Sequence, residues 1–230
     1  GPEARAALQE LVQGQPLRFT TPRGFDVTLT TARVFVGALY FSTVEPMTAS
    51  GSLEAPCVAP GITTGEVRGG LELDALDPTP QPFPVQGLGS DLPTRSASLW
   101  LTNGDVNASD ERTVVLKVEG EATRGTDTYP FTASFHIGTN RVTPPRNSAL
   151  PSSNPICEQR IVTPIAFDTT LSQGATVKLL VDPRAFFGSV NFATLEQVST
   201  MPPRYRFRDD AATAEQADTA LFNALRANAG

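Results

Sequence analysis

The sequence predicts an all-β fold, an antiparallel β-sandwich of immunoglobulin-like or jelly-roll-like type, with a short helix near each terminus. Short apolar runs that alternate with polar residues predict strands rather than long helices. The 20 prolines and 18 glycines recur every few residues, as turns between many short strands require. Hydrophobic residues make up 40% of the chain, which is enough to build a core. With no internal repeat and no long linker, residues 1–230 are expected to form one domain.

The first element is a predicted helix over residues 1–14, which ends at Gly14. A strand follows over 24–41, and its apolar residues change from odd to even positions across Thr30 and Thr31. Such a change of phase would turn the apolar face of a regular strand away from the core. It therefore predicts a β-bulge at this point.

Six further segments have strand character, at 67–73, 95–102, 112–122, 129–138, 160–167 and 175–182. The three strands between residues 95 and 138 are separated by stretches rich in turn residues, which predicts a meander of two consecutive hairpins. The chain closes with a predicted helix over 210–229, where alanine and leucine recur at helical spacing.

Charge and hydropathy exclude several classes of partner. The net charge is −6, and no cluster of lysine and arginine occurs, so we expect neither nucleic acid nor an anionic membrane surface as a partner. No apolar stretch approaches the roughly 18 residues that a transmembrane helix needs.

Two cysteines, Cys57 and Cys157, stand in proline-rich loops and belong to no metal-binding spacing. We expect them to form a disulfide, which places the protein outside the cytoplasm, in the periplasm or at the cell surface. Gly1 and Pro2 resemble a protease-cleavage scar, so an export signal or a lipid anchor is expected upstream.

The single histidine and the single tryptophan are the main candidates for chemistry. Alternation in the strand 129–138 directs Phe131 and Phe135 to the core and His136 to the polar face. The same pattern in 95–102 predicts Trp100 on a polar face, where a large aromatic side chain is informative.

The segments LKVEGEATRGTDTYPFTASFHIG and LLVDPRAFFGSVNF resemble secreted copper-associated proteins of the MbnP and MopE/CorA type. This resemblance implies a β-rich domain that holds copper with histidines and an oxidised tryptophan. It marks Trp100 and His136 as the matching positions. The family places a histidine two residues after the tryptophan, where this chain has Thr102.

A second metal hypothesis concerns the acidic stretch 103–111. Asp105, Asn107 and Asp110 offer oxygen ligands of the kind that calcium prefers, although the spacing departs from the EF-hand pattern. A solvated acidic turn explains the same residues. For an enzyme the sequence offers one histidine and no nucleophile turn, so we expect a non-enzymatic protein that requires no cofactor.

The two longest loops, 42–65 and 139–160, each contain one cysteine. Loops held on a rigid scaffold commonly perform recognition. We therefore expect a binding or structural protein whose surface binds a protein or a small ligand, with copper and calcium binding as alternatives. The candidate binding residues in or beside these loops are Tyr40, Met47, Arg141, Arg146 and Arg160.

Overall fold

The computed structural model describes residues 10–44, 62–101, 111–137, 161–210 and 212–226. Most of these residues lie in strands, so the predicted β-rich class is confirmed. The strands are β1 (Leu17–Thr20), β2 (Asp26–Ser42), β3 (Thr63–Asp74), β4 (Leu88–Gly89), β5 (Pro93–Leu101), β6 (Glu111–Arg124), β7 (Asp127–Ile137), β8 (Ile161–Thr170), β9 (Glu196–Thr200) and β10 (Pro203–Arg206). Two 3₁₀ helices, Pro183–Phe187 and Phe192–Thr194, and one α-helix, α1 (Gln216–Arg226), complete the described elements.

The ten strands form one continuous sheet that does not close on itself. Its main path runs β4-β3-β2-β6-β7-β10-β9, while β1 pairs with β2 and β5 pairs with both β2 and β8. The sheet is mixed rather than purely antiparallel as predicted, because β10 pairs with β7 in parallel. After β8 the chain passes through the two 3₁₀ helices and forms the hairpin of β9 and β10. β10 then lies along β7, to which no tight turn connects it.

The long strand β2 organises the sheet because each of its edges serves two partners. The predicted bulge is confirmed, since the register to β6 shifts between Leu29 and Thr31. A second shift, which the sequence did not reveal, falls between Val36 and Ala38, and there β2 exchanges β6 for β5 as its partner. The second shift turns Ala38 away from the main core, while Leu39 joins it.

The predicted meander is half right. The hairpin of β6 and β7 is present, and its two-residue turn begins at Gly125, whose φ of 63° suits the first position of a type II′ turn. The predicted hairpin of β5 and β6 is wrong, because both strands pair antiparallel with the same edge of β2 and so run in the same direction. The turn-rich composition of 102–110 indicated a connection correctly but not its geometry.

One hydrophobic core joins the sheet to the helical segments. Phe131 contacts the rings of Phe187, Phe192 and Phe207, with centroid distances between 5.0 and 5.8 Å. The 3₁₀ helices therefore seal the face of β7, and α1 adds Leu221, which is fully buried. Within the described ranges, no helix has the length and hydrophobicity needed to span a bilayer.

The start of α1 is fixed by a buried carboxylate. Asp218 is fully buried and accepts hydrogen bonds from the backbone N–H of Arg208 at 2.8 Å and of Glu215 at 2.7 Å. The guanidinium of Arg208 lies 3.5 Å from the same carboxylate. A buried charge is tolerated only with such partners, so Asp218 joins the end of β10 to the helix.

Three predicted elements differ from the structure. Residues 175–182 were expected to be a strand, but they belong to no strand of the sheet. Of the predicted helix 1–14, residues 1–9 lie outside the described residues, and the rest ends in a turn because Gly14 takes a φ of 75°. The helix expected over 210–229 is observed only as Gln216–Arg226.

Candidate functional site

The strands β5 and β6 part from each other at β2, β5 together with its partner β8 and β6 together with its partner β7. We call the strand ends Leu101, Ile161, Glu111 and Ile137 the loop fork. Leu101 pairs with Ile161, and Glu111 pairs with Ile137. The segments 102–110 and 138–160 each connect one of these two pairs to the other. The ends of both segments are therefore fixed by the sheet.

Trp100 precedes the fork on β5, and its predicted exposure is wrong. Its side chain points away from the main core, as alternation predicted, but only 6% of it is exposed. It lies opposite Ala38 and meets the ring of Tyr40 edge-on at 5.8 Å. The second register shift in β2, between Val36 and Ala38, places Ala38 on this face, where its methyl group is an apolar neighbour of the indole. Trp100, Ala38 and Tyr40 thus form a second, smaller apolar cluster.

His136 lies one residue before the fork on β7, and its side chain is 38% exposed. Its Nδ1 is 2.5 Å from Oδ2 of Asp209, and its backbone N–H donates to the same oxygen at 3.0 Å. Asp209 follows β10 and is mostly buried, so the pair joins β7 to the chain that leads into α1. No local sequence pattern indicates this contact, because the two residues are 73 positions apart.

The two positions marked by the copper resemblance lie on strands that do not pair. Trp100 is on β5, which pairs with β2 and β8, whereas His136 is on β7, which pairs with β6 and β10. Among the described residues, no group of three or more histidine, cysteine, aspartate or glutamate side chains could hold a metal ion.

Most other predicted site residues lie outside the described residues, so their predictions stand as made. They are Cys57 and Cys157 for the disulfide, Asp105, Asn107 and Asp110 for calcium, and Met47, Arg141, Arg146 and Arg160 for binding.

A charged network lies on β9 and β10. Glu196 accepts a hydrogen bond from Arg206, which lowers the pKa of Glu196 and raises the pKa of Arg206. Arg208 approaches Glu196 at 3.9 Å and continues the network to the buried Asp218. The network joins the β9–β10 hairpin to the start of α1, and each of these four side chains has an opposite charge beside it.

The free edge of β3 is covered by the proline-rich stretch that follows it. The side-chain amide of Gln81 accepts from the backbone N–H of Asp74 and donates to its carbonyl oxygen, both at 2.9 Å. Further along β3, the side chain of Val85 lies against Gly69, where a Cβ atom would collide with it. Because this stretch occupies the edge and contains prolines, it hinders the addition of another strand there.

An open cleft of about 730 Å³ lies between the first 3₁₀ helix and α1. Its walls are mostly small side chains such as Ala185 and Ala220. The amide of Gln216 crosses it, accepting from the backbone N–H of Asn191 and donating to the carbonyl oxygen of Ser189, both at 2.8 Å. The polar groups of the cleft thus hold the helix in place.

Comparison with protein-family models, curated proteins and solved structures finds no match for the chain. The fold and the fork by themselves define a β-rich protein in which two segments connect the strand pairs β5–β8 and β6–β7.

Proposed function

We propose that this chain is an exported, non-enzymatic binding protein of β-sandwich type, with its recognition surface on the loops 42–65 and 139–160, which a disulfide links, and on the fork segment 102–110. The observation that best supports this function is the fork, because it fixes the ends of two connections on paired strands of the sheet. Loops anchored on a rigid scaffold are where recognition commonly lies.

The composition of these segments suits a polar or charged ligand. Asp105 and Asp110 belong to one segment of the fork, and Arg141, Arg146 and Arg160 belong to the other. The two segments connect the same two strand pairs, so one connection of the fork carries acidic side chains and the other carries basic ones. Charged side chains that complement those of a partner give specificity and speed association with a protein or a small ligand.

The sheet geometry is compatible with the proposed Cys57–Cys157 disulfide. Thr63 on β3 lies at the same level of the sheet as Ala166 on β8, three strand spacings away. Ile161 lies five residues along β8 from Ala166. The span from Thr63 to Ile161 is therefore about 22 Å from standard strand spacings. Six residues from Cys57 to Thr63 and four from Cys157 to Ile161 can extend over about 33 Å in total. The bridge would close a long loop and stabilise the fold by about 4–5 kcal/mol.

Copper binding is the second candidate, and one observation favours it. Asp209 orients the imidazole of His136 through Nδ1, as carboxylates orient metal-binding histidines, and this leaves Nε2 to meet a ligand. Further ligands would have to come from outside the described residues. Calcium binding at Asp105, Asn107 and Asp110 likewise stays a prediction.

Selection from a displayed peptide library tests the binding function. Wild-type protein, produced in an exporting host, is the bait, and each selected peptide is measured against two variants. One carries Arg141→Ala, Arg146→Ala and Arg160→Ala. The control carries the same loss of charge at three exposed arginines of the sheet and its turns, Arg23→Ala, Arg68→Ala and Arg204→Ala.

We expect peptides rich in acidic residues that lose about tenfold or more in affinity for the loop variant and keep it for the control. Failure to select any peptide, or equal loss in both variants, would contradict a recognition surface on these segments.

A further inference from the structure

Residues 176–181, TVKLLV, have the composition of a strand but pair with none of the described strands. Branched and apolar residues with alternation at Val177, Leu179 and Val181 favour an extended, paired conformation. Yet no backbone hydrogen bond joins these residues to any other part of the chain that the structure describes. A segment whose local preference has no partner among the described residues is a candidate for pairing with a second molecule.

The side chains of this segment leave apolar surface in water. Val177 is 38% exposed, Leu179 37% and Leu180 88%, whereas Val181 packs against the core and anchors the segment. Unlike the edge of β3, which the proline-rich stretch covers, this segment contains no proline and only one charge, Lys178. It therefore lacks the features by which proteins protect exposed strands.

The sequence of the segment is complementary to itself in antiparallel pairing. With Leu179 on the two-fold axis, Val177 lies opposite Val181 of a second copy, and Lys178 lies opposite Leu180. The apolar stripe is then continuous across both strands, and no two lysines stand directly opposite each other. A two-fold interface requires this kind of self-complementary pattern.

From this pattern we infer that residues 176–181 are the contact between two copies of this chain, paired as antiparallel strands centred on Leu179. Each strand supplies backbone hydrogen bonds to the other, and the stem of Lys178 covers Leu180 of the second copy. A single strand pair buries little surface, so the dimer is weak, with a Kd on the order of 0.1 mM.

Sedimentation velocity at protein concentrations from about 5 μM to about 1 mM, which bracket this Kd, tests the inference. The test compares two variants that place opposite charges at position 180. Leu180→Lys places a lysine opposite Lys178 twice in the dimer, and we expect affinity to fall about tenfold or more. Leu180→Glu places a carboxylate opposite Lys178 and keeps or tightens the dimer. Both changes leave folding intact because Leu180 is 88% exposed.

Leu88→Lys, at a leucine of β4 that is 74% exposed, is the matched control and leaves the dimer unchanged. A monomer at every concentration would overturn the inference, as would equal effects of Leu180→Lys and Leu180→Glu. Association that Leu88→Lys weakens equally would assign the contact to another surface and would also overturn it.

Discussion

Gly120→Ala tests the register that the bulge imposes on the centre of the sheet. Gly120 lies on β6 opposite Leu29, directly beside the bulge at Thr30. A Cβ at this position would lie 2.4 Å from the carbonyl oxygen of Thr28, 3.1 Å from Cζ of Phe131 and 3.2 Å from Cα of Leu29. Two of these three atoms belong to the backbone, so relief requires β2 and β6 to separate.

The magnitude follows from comparing two opposing effects. Forcing an extra methyl group into packed surroundings costs typically 1–3 kcal/mol, and a clash with a fixed carbonyl belongs at about 3 kcal/mol. Alanine also restricts the unfolded chain, which offsets roughly 0.5–1 kcal/mol. The clash dominates, and we expect a net loss of about 2–2.5 kcal/mol. In a chain of this size that lowers Tm by roughly 4–10 °C.

Thermal and urea unfolding followed by circular dichroism measures this loss. The control is Gly188→Ala, where the nearest atom to the new Cβ is a carbonyl oxygen at an ordinary 3.8 Å. Since no clash opposes the restriction of the unfolded chain there, the control should be neutral or up to about 1 kcal/mol more stable than wild type. If Gly120→Ala were equally neutral, β6 would not pair with β2 in this register, and the argument would fail.

Three further predictions concern buried or paired polar groups. Thr94→Val should lower the free energy of unfolding by about 1–2 kcal/mol, because it leaves the buried hydroxyl of Thr64 without its partner at 2.7 Å. Adding Thr64→Val should recover part of this loss. Urea unfolding measures both variants, and equal losses in the single and double variants would refute the pairing. Asp218→Ala should lower the free energy of unfolding by about 2–4 kcal/mol, since two backbone N–H groups lose their acceptor. Asp218→Asn keeps an acceptor oxygen and should lower it less. Equal free energies of unfolding for the two variants in urea would contradict this prediction. The folded-state pKa of Glu196 lies below its ordinary value of 4.5, so its contribution is present above that pH and is lost as pH falls through the folded-state pKa. Glu196→Gln should therefore flatten the acid side of the stability–pH curve, and an unchanged curve would count against the ion pair.

The two irregularities of β2 show which features of the fold could be predicted. The bulge at Thr30 was predictable because polar residues there mark the change of phase. The register shift at Gly37 was not predictable. In the surrounding VFVGALYF, the odd-numbered and the even-numbered positions are both apolar, so the sequence shows no change of phase. Trp100 was misassigned because alternation predicts the face of a side chain but not what covers that face.

Long-range pairing accounts for the other differences. The segment 102–110 has the composition of a hairpin turn, yet β5 and β6 each pair with the long β2 and not with each other. The contact of His136 with Asp209 depends on the parallel pairing of β10 with β7, which no local pattern encodes. Residues 175–182 have the composition of a strand but pair with no strand in the described part of the chain, so propensity alone misleads there.

Native mass spectrometry with elemental analysis, on protein from an exporting host, tests the central claim most directly. A cross-linked binding protein should be free of metal, with a mass two hydrogens below that of the reduced chain from the Cys57–Cys157 bridge. Stoichiometric copper, together with a mass shift at Trp100 from oxidation, would contradict the binding function and support a copper protein. Stoichiometric calcium, or two cysteines that both react with a thiol reagent, would contradict it as well.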